Sequence, residues 1–422
     1  METVADYHPR IADRLLAQAL ASAGAAHIVG PKWCGKTTTA EQAAASAVYL
    51  QDPDHRSDYA RLAATQPSLL LSGDRPRLLD EWQEQPVLWD TVRFAVDRSQ
   101  AVGQFILTGS SVPSKEDVRH TGTGRVSRVR MRPMSLAESG ESDSTVSLVD
   151  IMAGRNIAGQ ATLPLDYLAL TLVRGGWPAS VVQPGEYSSM RASDYAESII
   201  ESDISRVDGV DKNPRRVRLL MRSLARNEST EAAMTTIRED MSADDGILSV
   251  NTISSYLTAL RRLYVLEDQE AWAPAVRSKV AQRTSPVRRY CDPSIPAALL
   301  RLTPSKLMAD FSTFGLLFES LCVRDLRTYA EANDATVWHY RDARGLECDA
   351  IVELGDGTWG AVEIKLDKAA EETAAASLLD IQRHVRSQHA GPPSFLMILT
   401  ASGFAYRRED GVYTVPIACL AP

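Results

Sequence analysis

Short apolar runs alternate with helical patterns over the first third of the chain. Up to about residue 135 these runs are AHIVG, SAVYL, RLLDEW and QFILTG. Continuous apolar runs separated by helices are typical of a parallel sheet that is covered on both faces. We therefore predict an α/β domain over residues 1–137, followed by a polar, Ser-rich linker over residues 138–160.

The stretch 161–303 is mostly helical by pattern. Asn213 and Pro214 fit the N-cap and the first position of a helix over PRRVRLLMRSLARN. Further on, apolar residues recur at helical spacing and give way to a short extended run at residues 264–266. These apolar residues are Ile253, Tyr256, Leu257, Leu260 and Leu263. This order predicts a winged helix, and an ordinary packing helix in a helical domain explains it equally well.

The pattern changes again over residues 304–422. A helical segment, FGLLFESLCVRDLRTYA, precedes the extended runs VWHY, CDAIVEL and WGAVEIKL, and the helical segment SLLDIQRHVRS precedes FLMILT. Asp356 and Gly357 between two of the extended runs predict a hairpin turn. This stretch is predicted to form an α+β domain.

Composition limits the class of protein. The 422 residues are 44% hydrophobic and 24% charged, which predicts three domains with true cores and excludes a disordered chain. A net charge of -8 argues against a uniformly basic nucleic-acid coat. The five cysteines are scattered singly, so neither a disulfide framework nor a zinc site is indicated. Since no stretch approaches the ~18 apolar residues of a membrane span, we expect a cytoplasmic protein with no membrane partner.

A phosphate-binding loop follows the first apolar run. Residues 30–37 read GPKWCGKT and match GxxxxGK[ST] before a helical segment. Glycines let backbone N–H groups face phosphate oxygens, while Lys36 reaches the β- and γ-phosphates and Thr37 faces Mg²⁺. The predicted cofactors are ATP and Mg²⁺. Nucleotide contacts are predicted from Gly30, Pro31, Lys32, Trp33, Cys34, Gly35, Lys36, Thr37, Thr38, Asp80 and Thr108.

Two acidic residues end a later apolar run. In LLDE, Asp80 is predicted to hold Mg²⁺ together with Thr37, and Glu81 to act as the general base that polarises the attacking water. The run FILTGS ends in hydroxyl groups, so Thr108 or Ser110 is expected to sense the γ-phosphate.

The C-terminal hairpin carries a D…ExK pattern. Asp349 lies on one extended run, and Glu363 and Lys365 lie on the next. Residues two apart in a strand share a face, so the three side chains can converge. Two carboxylates would then hold a divalent ion, and Lys365 would orient a water, as in phosphodiester hydrolysis. Ordinary surface charges on a solvated hairpin are the alternative.

Taken together, these motifs resemble the prokaryotic AAA-type ATPases whose C-terminal half carries a domain of unknown function. The resemblance covers GPKWCGKTT, LLDEWQEQPVLWD, FILTGSS, RMRPMSLAE, RGGWP, SDISRVDGV and the LFES to EIK tail. It implies that Arg125 is an arginine finger, often supplied by a neighbour in a homo-oligomer. The nearby arginines could serve instead or form a solvated strand face; they are Arg128, Arg130 and Arg132. The loop interior KWC and the run 286–289 depart from the family pattern.

The C-terminal stretch also resembles the PD-(D/E)XK nuclease superfamily, which has a restriction-endonuclease-like fold. That pattern adds an acidic residue on the preceding helix and often a Gln on the following one, and Glu319 and Gln382 fit. The resemblance implies metal ligation by Glu319, Asp349 and Glu363, with Lys365 in a catalytic role. A binding-only domain that kept these charges is equally compatible, because fold does not establish activity.

The resulting hypothesis is an ATP-hydrolysing protein coupled to a nuclease-like domain that acts on DNA. Phosphate contacts are predicted from two basic clusters: Arg283, Arg288 and Arg289, and Lys212, Arg215, Arg216 and Arg218. Two alternatives stay open. One is a regulatory switch in which ATP binding controls protein contacts; the other is a DNA-binding regulator that uses the winged helix alone.

Overall fold

A computed structural model describes residues 7–110, 122–183, 185, 187–207, 209–245, 249–274, 285–342, 344–387 and 391–422. It describes residues 242–245, 386 and 387 by their backbone alone. The chain divides into two compact units. Unit 1 consists of Met1–Pro133, Ser202–Lys212 and Tyr256–Val265, and unit 2 of Met134–Glu201, Asn213–Ser255 and Leu266–Pro422.

Unit 1 is built on a five-stranded sheet. Its strands are β1 (Ala25–Val29), β2 (Ser46–Tyr49), β3 (Arg77–Asp80), β4 (Phe105–Gly109) and β5 (Val126–Arg130). Their order is β2-β3-β4-β1-β5, and every neighbouring pair is parallel. The parallel sheet predicted from the apolar runs is therefore confirmed. Because all strands run the same way, the loops after β1, β3 and β4 meet at one edge of the sheet.

Helices cover both faces of this sheet. They are α1 (Ile11–Ser22), α2 (Lys36–Ala43), α3 (Arg56–Thr65) and α4 (Val87–Ser99), with 3-10 turns at Pro67–Leu71 and Trp82–Glu84. One buried core includes Leu16 and Ile106, and the other includes Trp82 and Leu107. Strands that are buried on both faces explain why their sequences read as continuous apolar runs.

The middle of the chain is helical. Its helices are α5 (Leu136–Ser139), α6 (Leu148–Met152), α7 (Leu165–Arg174), α8 (Pro178–Val182), α9 (Met190–Ser198), α10 (Ile204–Arg206), α11 (Pro214–Arg226), α12 (Met234–Asp245) and α13 (Val250–Arg262). The predicted N-cap is confirmed, since the Asn213 side chain accepts from the backbone N–H groups of Arg215 and Arg216. After α13 come β8 (Leu266–Gln269) and β9 (Val287–Tyr290), which pair in antiparallel fashion.

A seven-stranded sheet dominates the C-terminal part of unit 2. Its strands are β7 (Gly159–Ala161), β10 (Ala335–Arg341), β11 (Glu347–Leu354), β12 (Trp359–Lys365), β13 (Phe395–Thr400), β14 (Gly403–Arg407) and β15 (Tyr413–Pro416), in the order β10-β11-β12-β13-β15-β14-β7. The remaining helices are α14 (Ser294–Leu299), α15 (Pro304–Ala309), α16 (Phe311–Glu331) and α17 (Glu371–Ser387). The predicted hairpin turn is confirmed: Gly357 has φ 85, and its N–H donates to Leu354 O at 2.9 Å.

The stretch 138–160 is not the linker that its polar sequence predicted. It contains β6 (Val146–Ser147), which pairs with β16 (Leu420–Ala421), and the Ser142 hydroxyl donates to Leu420 O at 2.8 Å. Polar composition hid these pairings because the partner strand lies at the far end of the sequence.

Candidate functional site

The 30–37 loop joins β1 to α2 at the carboxyl edge of the parallel sheet. A Cβ atom on Gly30 would lie 2.2 Å from Met131 O, so any other residue would force the backbone apart. Gly35 is the N-cap of α2 and has φ 99 and ψ 17, a left-handed conformation that glycine adopts without steric cost. Both glycines of the motif are therefore explained by the local geometry of the loop.

Lys36 lies over the loop that precedes it. Its side chain is buried, and Nζ donates to Pro31 O at 2.8 Å and to Gly30 O at 3.2 Å. The Arg10 guanidinium supports the loop from behind by donating to Cys34 O at 2.8 Å. An ammonium group beside the N-terminus of α2 forms a site for phosphate oxygens, because the orphan N–H groups there carry partial positive charge.

Asp80 receives two hydroxyl hydrogen bonds at the end of β3. Thr37 Oγ1 and Thr108 Oγ1 both donate to Asp80 Oδ1 at 2.7 Å. The loop, β3 and β4 thus bring together residues that the sequence analysis grouped from separate motifs. Hydroxyl and carboxylate oxygens are ligands that Mg²⁺ prefers, so Thr37 and Asp80 fit the ion that accompanies ATP.

Glu81 turns away from Asp80 through an unusual backbone conformation. Its φ of 52 and ψ of 49 lie in the left-handed region, which is uncommon outside glycine and clusters at functional sites. Ser110 Oγ donates to Glu81 Oε2 at 3.2 Å, and the Gln83 amide donates to the same oxygen. The carboxylate is therefore held by two donors. Sequence reasoning missed Gln83, since no motif marks its position.

His27 packs beneath this turn. Its Nε2 accepts from Trp82 Nε1 at 3.0 Å, and its ring lies edge-on to Trp82 and Trp89. Burial lowers the pKa of His27 to about 3, and the positive charge of Arg128 acts in the same direction. The neutral imidazole accepts the Trp82 N–H at Nε2 and so fixes the indole of Trp82, the residue that follows Glu81 in the chain.

Arg125 lies at the opposite edge of the sheet from the loop. Its backbone O accepts from Ala25 N at 3.0 Å, at the start of β1, and its side chain pairs with Asp97 at 2.6 Å. Five residues of strand separate the two edges by about 16 Å. Arg125 therefore does not reach the loop of its own chain, and a role on a neighbouring subunit's nucleotide stays a prediction.

The alternative arginines follow along β5. Arg128 donates to the Tyr264 hydroxyl at 2.7 Å, and the guanidinium of Arg130 lies 5.6 Å from the same ring. Arg132 is buried. Arg128 is exposed and Arg130 half-buried, so the alternatives of a second finger and of a solvated strand face both stay predictions for these two residues.

The C-terminal residues of the D…ExK pattern converge. Lys365 Nζ lies 2.6 Å from Glu363 Oε2 and 3.2 Å from Asp349 Oδ2. The backbone N–H of Ile364 also donates to Asp349 at 2.7 Å. Burial and the Asp349 charge raise the pKa of Glu363 to about 7. Burial alone would lower the pKa of Lys365, but the two carboxylates raise it above its ordinary value.

The third predicted metal ligand is tied elsewhere. Glu319 pairs with Arg289 at 2.6 Å, and its burial raises its pKa to about 7. Within the described ranges, no group of three or more His, Cys, Asp or Glu side chains is arranged to hold a metal ion. The Lys365 ammonium lies within ion-pair distance of both Asp349 and Glu363 and offsets the repulsion between the two carboxylates. Metal ligation by Glu319, Asp349 and Glu363 stays a prediction.

The prediction of phosphate contacts is wrong for three of the seven basic residues, because these three are buried. Lys212, Arg288 and Arg289 are buried, with 1%, 8% and 2% of their surface exposed. Arg289 donates to Gln269 at 2.8 Å in addition to its ion pair with Glu319. These side chains serve the interior and cannot contact a phosphate backbone. The clustering of basic residues in the sequence led to this wrong prediction, because burial of a side chain depends on partners that lie far away in the sequence.

Of the other four basic residues in these clusters, three lie in the described part of the chain and one does not. Arg215 and Arg216 begin α11, and Arg218 pairs with Glu197 and Glu201. Arg283 lies outside the described residues. Among the described helices, none has the length and apolar character needed to cross a bilayer.

Comparison with known families agrees with the geometry of the loop. Residues 22–140 match a family described as AAA domain. Residues 165–306 and 314–420 match two domains of unknown function, DUF8612 and DUF4143. The N-terminal part of the chain is therefore an AAA-type P-loop ATPase domain, which confirms that part of the resemblance.

The chain is also similar to individual proteins. Two mycobacterial proteins, uncharacterized protein Mb2031c of Mycobacterium bovis and uncharacterized protein Rv2008c of Mycobacterium tuberculosis, are 24% identical over 373 residues, which is 87% of this chain and 76% of theirs. The Walker-type ATPase PABY2304 of Pyrococcus abyssi is 14% identical with a TM-score of 0.44, covering 71% of this chain and 97% of that one.

Proposed function

We propose that the protein binds ATP with Mg²⁺ at the 30–37 loop and hydrolyses the terminal phosphate. One observation carries this proposal: Thr37 Oγ1 lies 2.7 Å from Asp80 Oδ1, and these residues directly adjoin Lys36 and Glu81 in the chain. In the AAA domain match, the same loop lies inside residues 22–140. Mg²⁺ supplies charge neutralisation on the β- and γ-phosphates when it is bound.

Each residue of the site has a distinct part. The Lys36 ammonium and the first N–H groups of α2 bind phosphate oxygens. Thr37 and Asp80 hold the cation. Glu81, whose Oε2 is engaged by Ser110 and the Gln83 amide, accepts a proton from the attacking water through its other oxygen.

Two substitutions test this function. Lys36→Ala removes the ammonium and should abolish nucleotide binding, measured by titration with a fluorescent ATP analogue. Glu81→Gln should keep that binding and lower turnover about 10²- to 10⁴-fold, the usual contribution of a general base. Lys306→Ala, at an exposed lysine of unit 2, is the matched control. Unchanged binding in Lys36→Ala would exclude the loop as the nucleotide site.

The C-terminal domain is proposed to act on DNA, with phosphodiester cleavage as its candidate chemistry. The convergence of Asp349, Glu363 and Lys365 within hydrogen-bonding distance supports this candidate. The ion pairs among the three favour the alternative, a regulatory switch or DNA-binding regulator with a non-cleaving nuclease-like domain. The helices α11–α13 are followed by the β8–β9 pair, which is the element order of a winged helix, and exposed residues of the helices would supply the DNA contact.

A cleavage assay separates these candidates. Linear and supercoiled DNA are incubated with Mg²⁺ or Mn²⁺, with and without ATP, and compared with Asp349→Ala and Lys365→Ala proteins. Loss of cleavage in both variants supports the nuclease. If wild type cuts nothing yet binds DNA with a strong salt dependence, the regulator is favoured; no binding at all favours the switch.

Two further features complete the proposal. The cysteines are free thiols with buried side chains, which supports a reducing, cytoplasmic setting. Arg125 is proposed to act as an arginine finger on a neighbouring subunit, since its own loop is out of reach. That proposal implies a homo-oligomer.

A further inference from the structure

An ion pair links the phosphate-binding loop to a distant part of the chain. Lys32 Nζ lies 2.6 Å from Asp203 Oδ1, although the two residues are 171 positions apart. The Asp203 side chain is 3% exposed and that of Lys32 is 38% exposed. Both residues belong to unit 1, because the segment Ser202–Lys212 packs with the ATPase sheet.

Asp203 is held firmly in place. It ends a π-helical stretch, Ile199–Asp203, a rare conformation that is found most often at functional sites. The following residue, Ile204, is fully buried, and the Lys212 N–H donates to Ser205 Oγ at 3.0 Å and closes the segment. The Asp203 carboxylate is therefore buried at a defined position, whereas the Lys32 side chain is partly exposed.

Lys32 belongs to the same loop as Lys36 and follows the residue on which the Lys36 ammonium rests. The Lys36 ammonium, which binds the β- and γ-phosphates in such loops, rests on Pro31 O at 2.8 Å. Pro31 directly precedes Lys32. A lysine side chain is long enough to reach phosphate oxygens that its own loop cradles, and ordering it in advance lowers the entropy cost of that contact.

We propose that Lys32 is a second cationic contact to the terminal phosphate of ATP, and that Asp203 is the positioning residue that holds its ammonium at the loop. The proposal rests on nucleotide binding at residues 30–37, the proposed function. It makes the segment Ser202–Lys212, from the region that matches DUF8612, part of the nucleotide site.

The test is the preference for a triphosphate over a diphosphate. Equilibrium affinities for AMP-PNP and ADP are measured with Mg²⁺ on the full chain. Lys32→Met should lower the ratio of the two affinities about tenfold, as expected for one charged hydrogen bond, because ADP lacks the terminal phosphate. Lys32→Arg should keep most of the preference.

Asp203→Asn should also lower the preference, and it should have no further effect in a Lys32→Met background. This pattern separates positioning from general destabilisation, which would appear in both backgrounds. If Asp203→Asn does not fold, Asp203→Glu, which keeps the negative charge but moves it, replaces it in this comparison. Lys306→Met is the matched control.

The outcomes distinguish this inference from the proposed function. An unchanged ratio in Lys32→Met overturns the Lys32 contact. An equal effect of Asp203→Asn in both backgrounds, or none in either, overturns the positioning role. If Lys36→Ala binds both nucleotides as tightly as wild type, the loop itself is not the nucleotide site, and the proposed function fails with it.

Discussion

Gln83 has a larger role at the nucleotide site than its sequence position suggests. Its amide nitrogen donates to Glu81, and its Oε1 is buried without a partner among the described residues. A buried, unsatisfied acceptor costs about 1–3 kcal/mol. If Glu81 acts as the general base we propose, Gln83 orients that base at a cost to the stability of the fold, and its substitution should exchange activity for stability.

We expect Gln83→Met to lower kcat about tenfold with nucleotide affinity within twofold of wild type, because Glu81 loses one of its two orienting donors. The same substitution should raise the thermal midpoint, since it removes the unsatisfied carbonyl. Turnover and thermal unfolding are measured on the same preparations. In a Glu81→Gln background the loss of kcat should vanish; a persistent loss would mean that Gln83 acts elsewhere.

Glu228 predicts a pH dependence of stability. It is fully buried, accepts from Ser320 at 2.6 Å, and has its pKa raised by burial from 4.5 to about 7. Between these values the folded state holds a proton that the unfolded state has lost. The free energy of unfolding therefore falls as pH rises through this window, by up to about 3 kcal/mol from this group.

In Glu228→Gln that fall should be smaller, as measured by urea unfolding at pH 5 and pH 7.5. Glu319 and Glu363, whose pKa values are also raised to about 7, leave a residual fall in the variant. Glu409→Gln, at an exposed position, is the control and should match wild type. A variant whose stability still falls as steeply as that of wild type would contradict the assignment to Glu228.

At the scale of elements, Arg125 directly precedes β5 at one edge of the sheet, and the other end of β5 approaches the loop. If Arg125 acts on a neighbour, Arg125→Ala should bind ATP normally and turn over about 10³-fold more slowly. Mixing it with Lys36→Ala protein should restore activity, because each subunit then supplies what the other lacks. No recovery at any mixing ratio, with both proteins folded, would rule out a shared site.

Elements with a local signature were predictable from the sequence. The strands β1, β3 and β4, the loop between β1 and α2, and the Asp356–Gly357 turn each have a pattern that specifies the backbone directly. The pairing of β6 with β16 could not be predicted, because it depends on a partner near the far end of the chain.

The same limit applies to the site. Lys36 and Thr37 belong to one motif with a fixed spacing and Asp80 ends an apolar run, so the sequence itself marks these three positions. The contacts of Asp203 with Lys32 and of Gln83 with Glu81 follow from no sequence spacing. Arg289 was misassigned to DNA because charge was visible in the sequence and burial was not.

At the scale of the whole molecule, unit 1 draws on three separate parts of the chain. The Tyr264 hydroxyl accepts from Arg128 on the edge strand β5, and Ile204 and Leu260 are fully buried. A protein truncated after residue 140 would expose the apolar surface that these residues cover, together with an unprotected strand edge.

We therefore expect the fragment 1–140 to aggregate, or to unfold at least 10 °C below the full chain, when the two are compared by size-exclusion chromatography and thermal melting. Supplying residues 161–422 in trans is the rescue control. A fragment that is monomeric, folds cooperatively and binds ATP as the full chain does would contradict this expectation.

Unit 1 includes residues from later parts of the sequence, and this affects how the gene for such a protein can evolve. A gene fusion that copied only the codons for the first 137 residues would carry away the catalytic motif without Asp203 or Tyr264. The recipient would inherit an incomplete fold, and selection would remove it. On this reasoning, recombination would keep unit 1 intact only where it transfers the segments Ser202–Lys212 and Tyr256–Val265 together with the first 133 residues.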